Sequence, residues 1–290
     1  MLLGLAAAFL TATLYVVMVR TSTGQRLDDL AFEGRKATVF GVRRMVSLVL
    51  SATVPAVLVG WVALLVVVVR GRRTADGLIT MVGIVATVLV ARVLKSELPR
   101  PELFVPAFAG DSNSFPSGHT AAVAATAIGA LSVCRAGLRG NASVVAAVLV
   151  GSYSTAMLYT GWHRPIDVLG GVALATAVMA PSIAIRVLCV PDPPSTSDSN
   201  HRGQGGSGAT SDLEWSTRCV LVGLSAIGAA ATALVLRSPA PNPAHSLAAH
   251  LAVTSLTSAC AVALVLLFAV ALGPSTDAGT GVRGAGTGTT

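Results

Sequence analysis

Two short runs hold side chains whose types and spacing could do chemistry. One is Phe115-Pro116-Ser117-Gly118-His119-Thr120; the other is Gly161-Trp162-His163-Arg164-Pro165-Ile166-Asp167. Histidine is scarce, five in 290 residues, and each run sets one at the end of a long apolar segment. A Ser-Gly turn offers backbone N–H groups that can bind an anion. A histidine followed four residues later by Asp has a carboxylate able to orient its ring. Two histidines and an Asp can thus supply a nucleophile, its positioner and a general acid. This inventory points to phosphoryl chemistry.

Cations stand nearby in sequence. The run Arg92-Val93-Leu94-Lys95-Ser96-Glu97-Leu98-Pro99-Arg100-Pro101 closes another apolar segment. Lys and Arg at such an edge commonly anchor a helix to headgroups. Here, however, Lys95 and Arg100 precede a loop over 101–116 that leads directly into the first histidine run. Pro116 and Ser117 suit a helix entrance, with Ser117 as N-cap. The free N–H groups of Ser117, Gly118 and the first turn then make an anion site, with His119 beside it. A lone histidine at a helix end is more often structural, so the reading depends on these groups meeting.

The composition places the site at a membrane. Hydrophobic residues make up 53% and charged residues 11%, against about 25% charge in a soluble domain. Apolar runs near 20 residues read as spanning helices. Eight are expected, at about Leu2–Val19, Met45–Val69, Gly77–Leu94, Ser117–Cys134, Ser143–Thr160, Val168–Val190, Thr217–Leu236 and Leu247–Leu272. The fold class is therefore an all-α polytopic transmembrane bundle. Successive spans alternate in direction. The end of the third, the start of the fourth, the end of the fifth and the start of the sixth share one face. Lys95, Arg100, Ser117, His119, His163 and Asp167 can therefore converge.

The remaining features narrow the alternatives. Cys134, Cys189, Cys219 and Cys260 lie in or beside apolar runs without metal-ligand spacing, and read as buried thiols. Glu97, Glu102 and Asp111 are too scattered for a metal cluster, so neither metal nor cofactor is expected. The net charge is +7, concentrated in short arginine loops that fit anionic headgroups. There is no basic stripe with interleaved aromatics, which argues against nucleic acid. In the 20–44 loop, Leu27, Leu30 and Ala31 follow helical spacing beside Asp28, Asp29 and Glu33, the pattern of a short interfacial helix. Residues 191–214, rich in Pro, Ser and Gly, read as a flexible linker. Two spans over 215–272 follow, then a disordered tail at 273–290. Every candidate site residue precedes the linker, so the last two spans are expected to be dispensable for chemistry. The Ala, Val and Arg bias suggests a GC-rich bacterial genome.

The motifs resemble those of the type 2 phosphatidic acid phosphatase superfamily, which includes membrane lipid phosphatases and vanadium haloperoxidases. Pro116–His119 is similar to its second motif. His163 and Asp167 are similar to its third, with Tyr159, Gly161, Pro165, Val168 and Gly170-Gly171 flanking them. Lys95 with Arg100-Pro101 is similar to a short form of its first motif. The resemblance covers about residues 1–190 and implies a six-span lipid phosphatase-like domain. It implies that His163 attacks phosphorus to form a phosphohistidine, that Asp167 holds its tautomer, and that His119 protonates the leaving oxygen and then activates water. It implies Lys95, Arg100, Ser117 and Gly118 as phosphate-binding groups, with no metal.

Two positions depart from the family pattern. The seventh residue after Lys95 is Glu102 where an arginine is usual, and Met157 stands where the third motif has an arginine. Arg164 and Arg92 are the candidates to replace it. The implied function is hydrolysis of a lipid phosphate or polyprenyl (di)phosphate. The alternatives are a phosphotransferase of the same fold and a degenerate non-catalytic membrane protein. The implied setting is an inner membrane, with membrane lipids around the protein and the site facing outward.

Overall fold

The computed structural model describes residues 1–34, 74–103, 113–134, 136–189 and 243–272, together with a helical subset of 44–69. Helix α1 is Leu2–Leu14, continued by a π-helical turn at Tyr15–Val19. Then come α2 Ser22–Glu33, α3 Thr74–Glu97, α4 Gly118–Val133, α5 Ala136–Thr160, α6 Pro165–Cys189 and α7 Pro243–Ala271. Five of these segments are long and apolar enough to cross a membrane, and α4 is a shorter apolar helix. The protein is an integral membrane protein with an all-helical bundle. The linker, the expected seventh span and the tail lie outside the described residues.

Apolar sequence becomes helix here because a helix satisfies its own backbone where water cannot. The hydroxyls follow the same logic. Thr11, Thr87 and Thr176 bond carbonyls four residues back, at 2.8–3.0 Å, and so stay silent inside the bundle. Helix α6 is central, packing on α1, α3, α4 and α7. Ile84, Ile128, Val150, Val172, Met179 and Val265 fill one core. Leu5, Phe9, Val82, Leu89, Val145 and Leu267 point outward, as a lipid-facing surface requires.

Helix α7 packs on α5, α6 and α2, and its Ala261, Val265 and Phe268 belong to that same core. The expected dispensability of the last spans therefore loses its basis, because removing α7 would open the core behind α5. Helix α5 begins at Ala136, earlier than the apolar run at Ser143. Its first two turns are Gly- and Arg-containing, and a helix can extend beyond its apolar stretch.

Helix α2 exists as expected, but its orientation is reversed. Gln25, Asp28, Asp29, Ala31 and Phe32 are buried, whereas Leu30 is 38% exposed. The acids face inward because guanidinium groups wait there.

Candidate active site

Two helix entrances meet at the site. Ser117 caps α4 by accepting the Thr120 N–H at 3.3 Å. Its own N–H donates to the Asp167 carbonyl at 2.8 Å, tying α4 to the first turn of α6. Asn113 braces the approach by donating to the Leu98 and Phe115 carbonyls, at 3.0 and 2.8 Å. Pro165 opens α6, where the missing N–H costs nothing. At the end of α5, Gly161 adopts φ 72°, a left-handed conformation suited to glycine. The Trp162 N–H returns to the Met157 carbonyl at 3.2 Å, a Schellman-type ending. This turn delivers His163 to the entrance of α6.

His163 is 7% exposed, and its Nδ1 faces Asp167 Oδ2 at 3.6 Å. That is longer than a hydrogen bond, and Nδ1 has no other partner. A small closure would make the contact, a tightening typical of substrate-bound sites. Asp167 is fully buried and otherwise well held. Ser114 Oγ donates to its Oδ2 at 2.6 Å, the Arg164 backbone N–H donates at 3.1 Å, and Arg100 reaches Oδ1 at 3.4 Å. The His119 and His163 rings are 6.2 Å apart between centroids, tilted by 60°, and both line one cavity.

In front of His163 lies a cavity of about 430 Å3. It is lined by Arg92, Lys95, Gly118, His119 and His163, and by a larger apolar set that includes Val57, Leu58, Trp61, Val88 and Val123. The Gly118 and His119 N–H groups start α4 and have no intrahelical acceptor. Lys95, Gly118, His119 and His163 are therefore gathered as expected, with Asp167 directly behind. Ser117 is buried and uses its hydroxyl as the cap and on Thr120 Oγ1, at 2.9 Å.

The arginines divide. Arg100 was assigned to substrate phosphate by its motif, yet it bonds Asp28 Oδ2 at 3.1 Å and Asp167 Oδ1 at 3.4 Å. Two carboxylates at these distances hold it away from the cavity lining. Arg164 bonds Asp29 at 3.3 Å and lies over the Phe32 ring, 5.4 Å from its centroid. Met157, where the family arginine is missing, is 0% exposed in the apolar core. Arg92 is the arginine that lines the cavity among the described residues. Trp162 is 44% exposed, consistent with an interfacial anchor.

The sequence places neither Asp28 and Asp29 nor Ser114 at the site, where the structure brings all three. Asp28 is buried, accepts the Ile166 N–H at 3.2 Å, and has its carboxyl pushed up to about 6. Burial is the main cause and the Asp167 charge adds to it; Arg100, Arg164 and the Ile166 N–H act the other way. The adjacent acids at 28 and 29, in a chain with so few charges, were the available signal.

The structure is similar to the "first transmembrane PAP2 type phosphatidylglycerolphosphate phosphatase from Bacillus subtilis", with a TM-score of 0.51 and 21% identity. The match covers 64% of this chain and 96% of that one, and shows a shared fold. No curated protein matches the sequence. The PAP2 superfamily model matches residues 76–189, a stretch that holds Lys95, His119, His163 and Asp167.

Proposed function

We propose that the protein is a membrane phosphatase that hydrolyses a lipid phosphate. The carrying observation is one cavity lined by two histidines and two cations together with a larger set of apolar side chains. A phosphate would sit in the cavity against the His119 and His163 rings, with a hydrocarbon tail along Val57, Leu58 and Trp61.

The reaction follows from the placement. The ring nitrogen of His163 opposite Nδ1 attacks phosphorus as the bond to the leaving oxygen breaks. His119 gives its proton to that oxygen. It then takes a proton from water, which attacks the phosphohistidine and frees phosphate and His163. Asp167 accepts from Nδ1 and keeps the attacking nitrogen unprotonated, the role of a triad aspartate. Lys95, Arg92 and the Gly118 N–H meet the equatorial oxygens, where charge develops. Cations fixed at that position stabilise the charge as it forms. The family relationship and the neighbour's activity support this reading.

Polyprenyl phosphate or diphosphate, phosphatidate and phosphatidylglycerophosphate all combine a tail with a phosphate. An outward-facing site in an inner membrane fits the first class. The test is phosphate release by the purified protein across that panel. Wild type is expected to release phosphate from at least one lipid, and His163→Ala to abolish release while remaining folded. Equal activity in His163→Ala would overturn the nucleophile, and no release from any lipid would overturn the function.

A further inference from the structure

The charged groups behind His163 form a chain that reaches back to α2. Arg100 is clamped between two carboxylates, with one guanidinium nitrogen on Asp28 Oδ2 at 3.1 Å and the other on Asp167 Oδ1 at 3.4 Å. The other oxygen of Asp28 accepts the Ile166 N–H at 3.2 Å, the residue just before Asp167 at the start of α6. Asp28 thus controls Asp167 twice, through its side-chain partner and through its backbone. The side chains of Asp28 and Asp167 are 1% and 0% exposed. Buried pairs of this kind cost desolvation energy and add little net stability. They do fix geometry, and the geometry fixed here is the carboxylate facing His163.

We infer that Asp28 is a positioning residue for the reaction: it holds Arg100 on Asp167 and thereby aims Asp167 at His163. The inference rests on the proposed phosphatase reading and extends it to α2, outside residues 76–189. Without the Asp28 carboxylate, Arg100 keeps one anionic partner instead of two. Its guanidinium is then free to turn, and Oδ1 of Asp167 loses a defined contact. His163 loses alignment while the cavity lining, which excludes Asp28 and Arg100, stays as it was. The expected signature is therefore in turnover rather than in substrate affinity.

The experiment uses full-length protein in detergent micelles containing the lipid phosphate it hydrolyses best. Asp28→Asn, which keeps size and polarity, should lower kcat at least tenfold with KM within about twofold and with the melting temperature nearly unchanged. Asp28→Glu should recover part of kcat. Arg100→Gln should be comparably slow, and the double variant no slower than the slower single, since both act through one contact. A kcat for Asp28→Asn within twofold of wild type would overturn the inference, as would multiplicative losses in the double variant. A loss that tracks thermal stability, or that falls wholly on KM, would do the same. A second readout needs no turnover: carbethoxylation of His163 by diethyl pyrocarbonate, followed by mass spectrometry with His119 as internal reference. Asp28→Asn should slow His163 at least threefold relative to His119, and an unchanged ratio overturns the inference. Absence of phosphate release by wild type would defeat the phosphatase reading, whereas the labelling ratio judges Asp28 by itself.

Discussion

The two sides of His163 differ in charge balance and in packing. Behind the ring, Asp28, Asp29 and Asp167 face Arg100 and Arg164 in close ion pairs. In front, Arg92 and Lys95 line the cavity with the two histidines, and no carboxylate pairs with either among the described residues. Sequence motifs treat Arg100 and Lys95 as equivalent phosphate ligands. The structure separates them by their neighbours. A guanidinium with two buried carboxylate partners organises its surroundings, whereas a cation without an anion is available to a substrate phosphate. The contrast predicts which losses fall on chemistry and which on the fold.

The largest separation should come from the front cations. Lys95→Met and Arg92→Gln are each expected to lower kcat/KM by about 10²–10³, the range for losing one oxyanion donor, and to weaken vanadate inhibition in parallel. Their melting temperatures should stay near wild type, because both side chains are exposed. Steady-state kinetics with a vanadate titration measures this. An Arg92→Gln enzyme with wild-type kinetics and vanadate affinity would remove Arg92 from the phosphate site.

Met157→Arg should act through the fold instead. Were the residue a vacant arginine position, a new guanidinium would restore a phosphate contact. Met157 is instead packed with the core around Val150 and Met179, and it is not part of the cavity lining. An unpaired charge there should cost about 3–5 kcal/mol and lower the melting temperature by several degrees without raising turnover. Thermal unfolding beside the activity assay decides the point. A faster enzyme of unchanged stability would show that position 157 opens to the substrate.

Acid should erase the contribution of the rear cluster. Asp28 grips Arg100 as a carboxylate, and that form prevails only above its raised value of about 6. Below it the wild-type side chain is neutral, as Asn is at every pH. The ratio of wild-type to Asp28→Asn turnover should therefore fall toward one as the pH drops through 6. Paired pH–rate profiles from pH 5 to 8 provide the check. A ratio that is flat across the range would separate the Asp28 charge from catalysis.

These contrasts also mark what the sequence could and could not reveal. The convergence of His119, His163 and Lys95 was legible because alternating spans leave few choices for which ends meet. The apolar runs located α1, α3, α4, α6 and α7 because lipid permits little besides helix. The inward face of α2 was not legible. Hydropathy turns acids toward water, and the partners that reverse this for Asp28 and Asp29 lie 72 and 135 residues away. The same distance hid the fate of Arg100 and Arg164, whose motif neighbours say nothing of α2. Met157 looked like a gap in the site because motif spacing counts residues, whereas a helix presents successive residues to different sides.

The smallest expected effect tests packing rather than charge. At the rear, a Cβ on Gly171 would lie 2.6 Å from the Ser117 carbonyl oxygen, and one on Gly170 would strike the Phe115 ring. Alanine at either position must push α6 away from the α4 entrance, at about 1–3 kcal/mol. At the front, a Cβ on Gly118 meets nothing within 4 Å. Gly118→Ala adds one methyl group at the edge of the cavity and leaves the backbone N–H in place. Its melting temperature should match wild type or rise slightly, since alanine is the better helix former. Its kcat should stay within about threefold and its KM rise modestly, as the methyl group takes room from the substrate phosphate. Parallel melting curves and kinetics for Gly118→Ala and Gly171→Ala make the comparison. If Gly118→Ala loses as much stability as Gly171→Ala, the front of His163 is as tightly packed as the back, and the open phosphate subsite beside Gly118 is wrong.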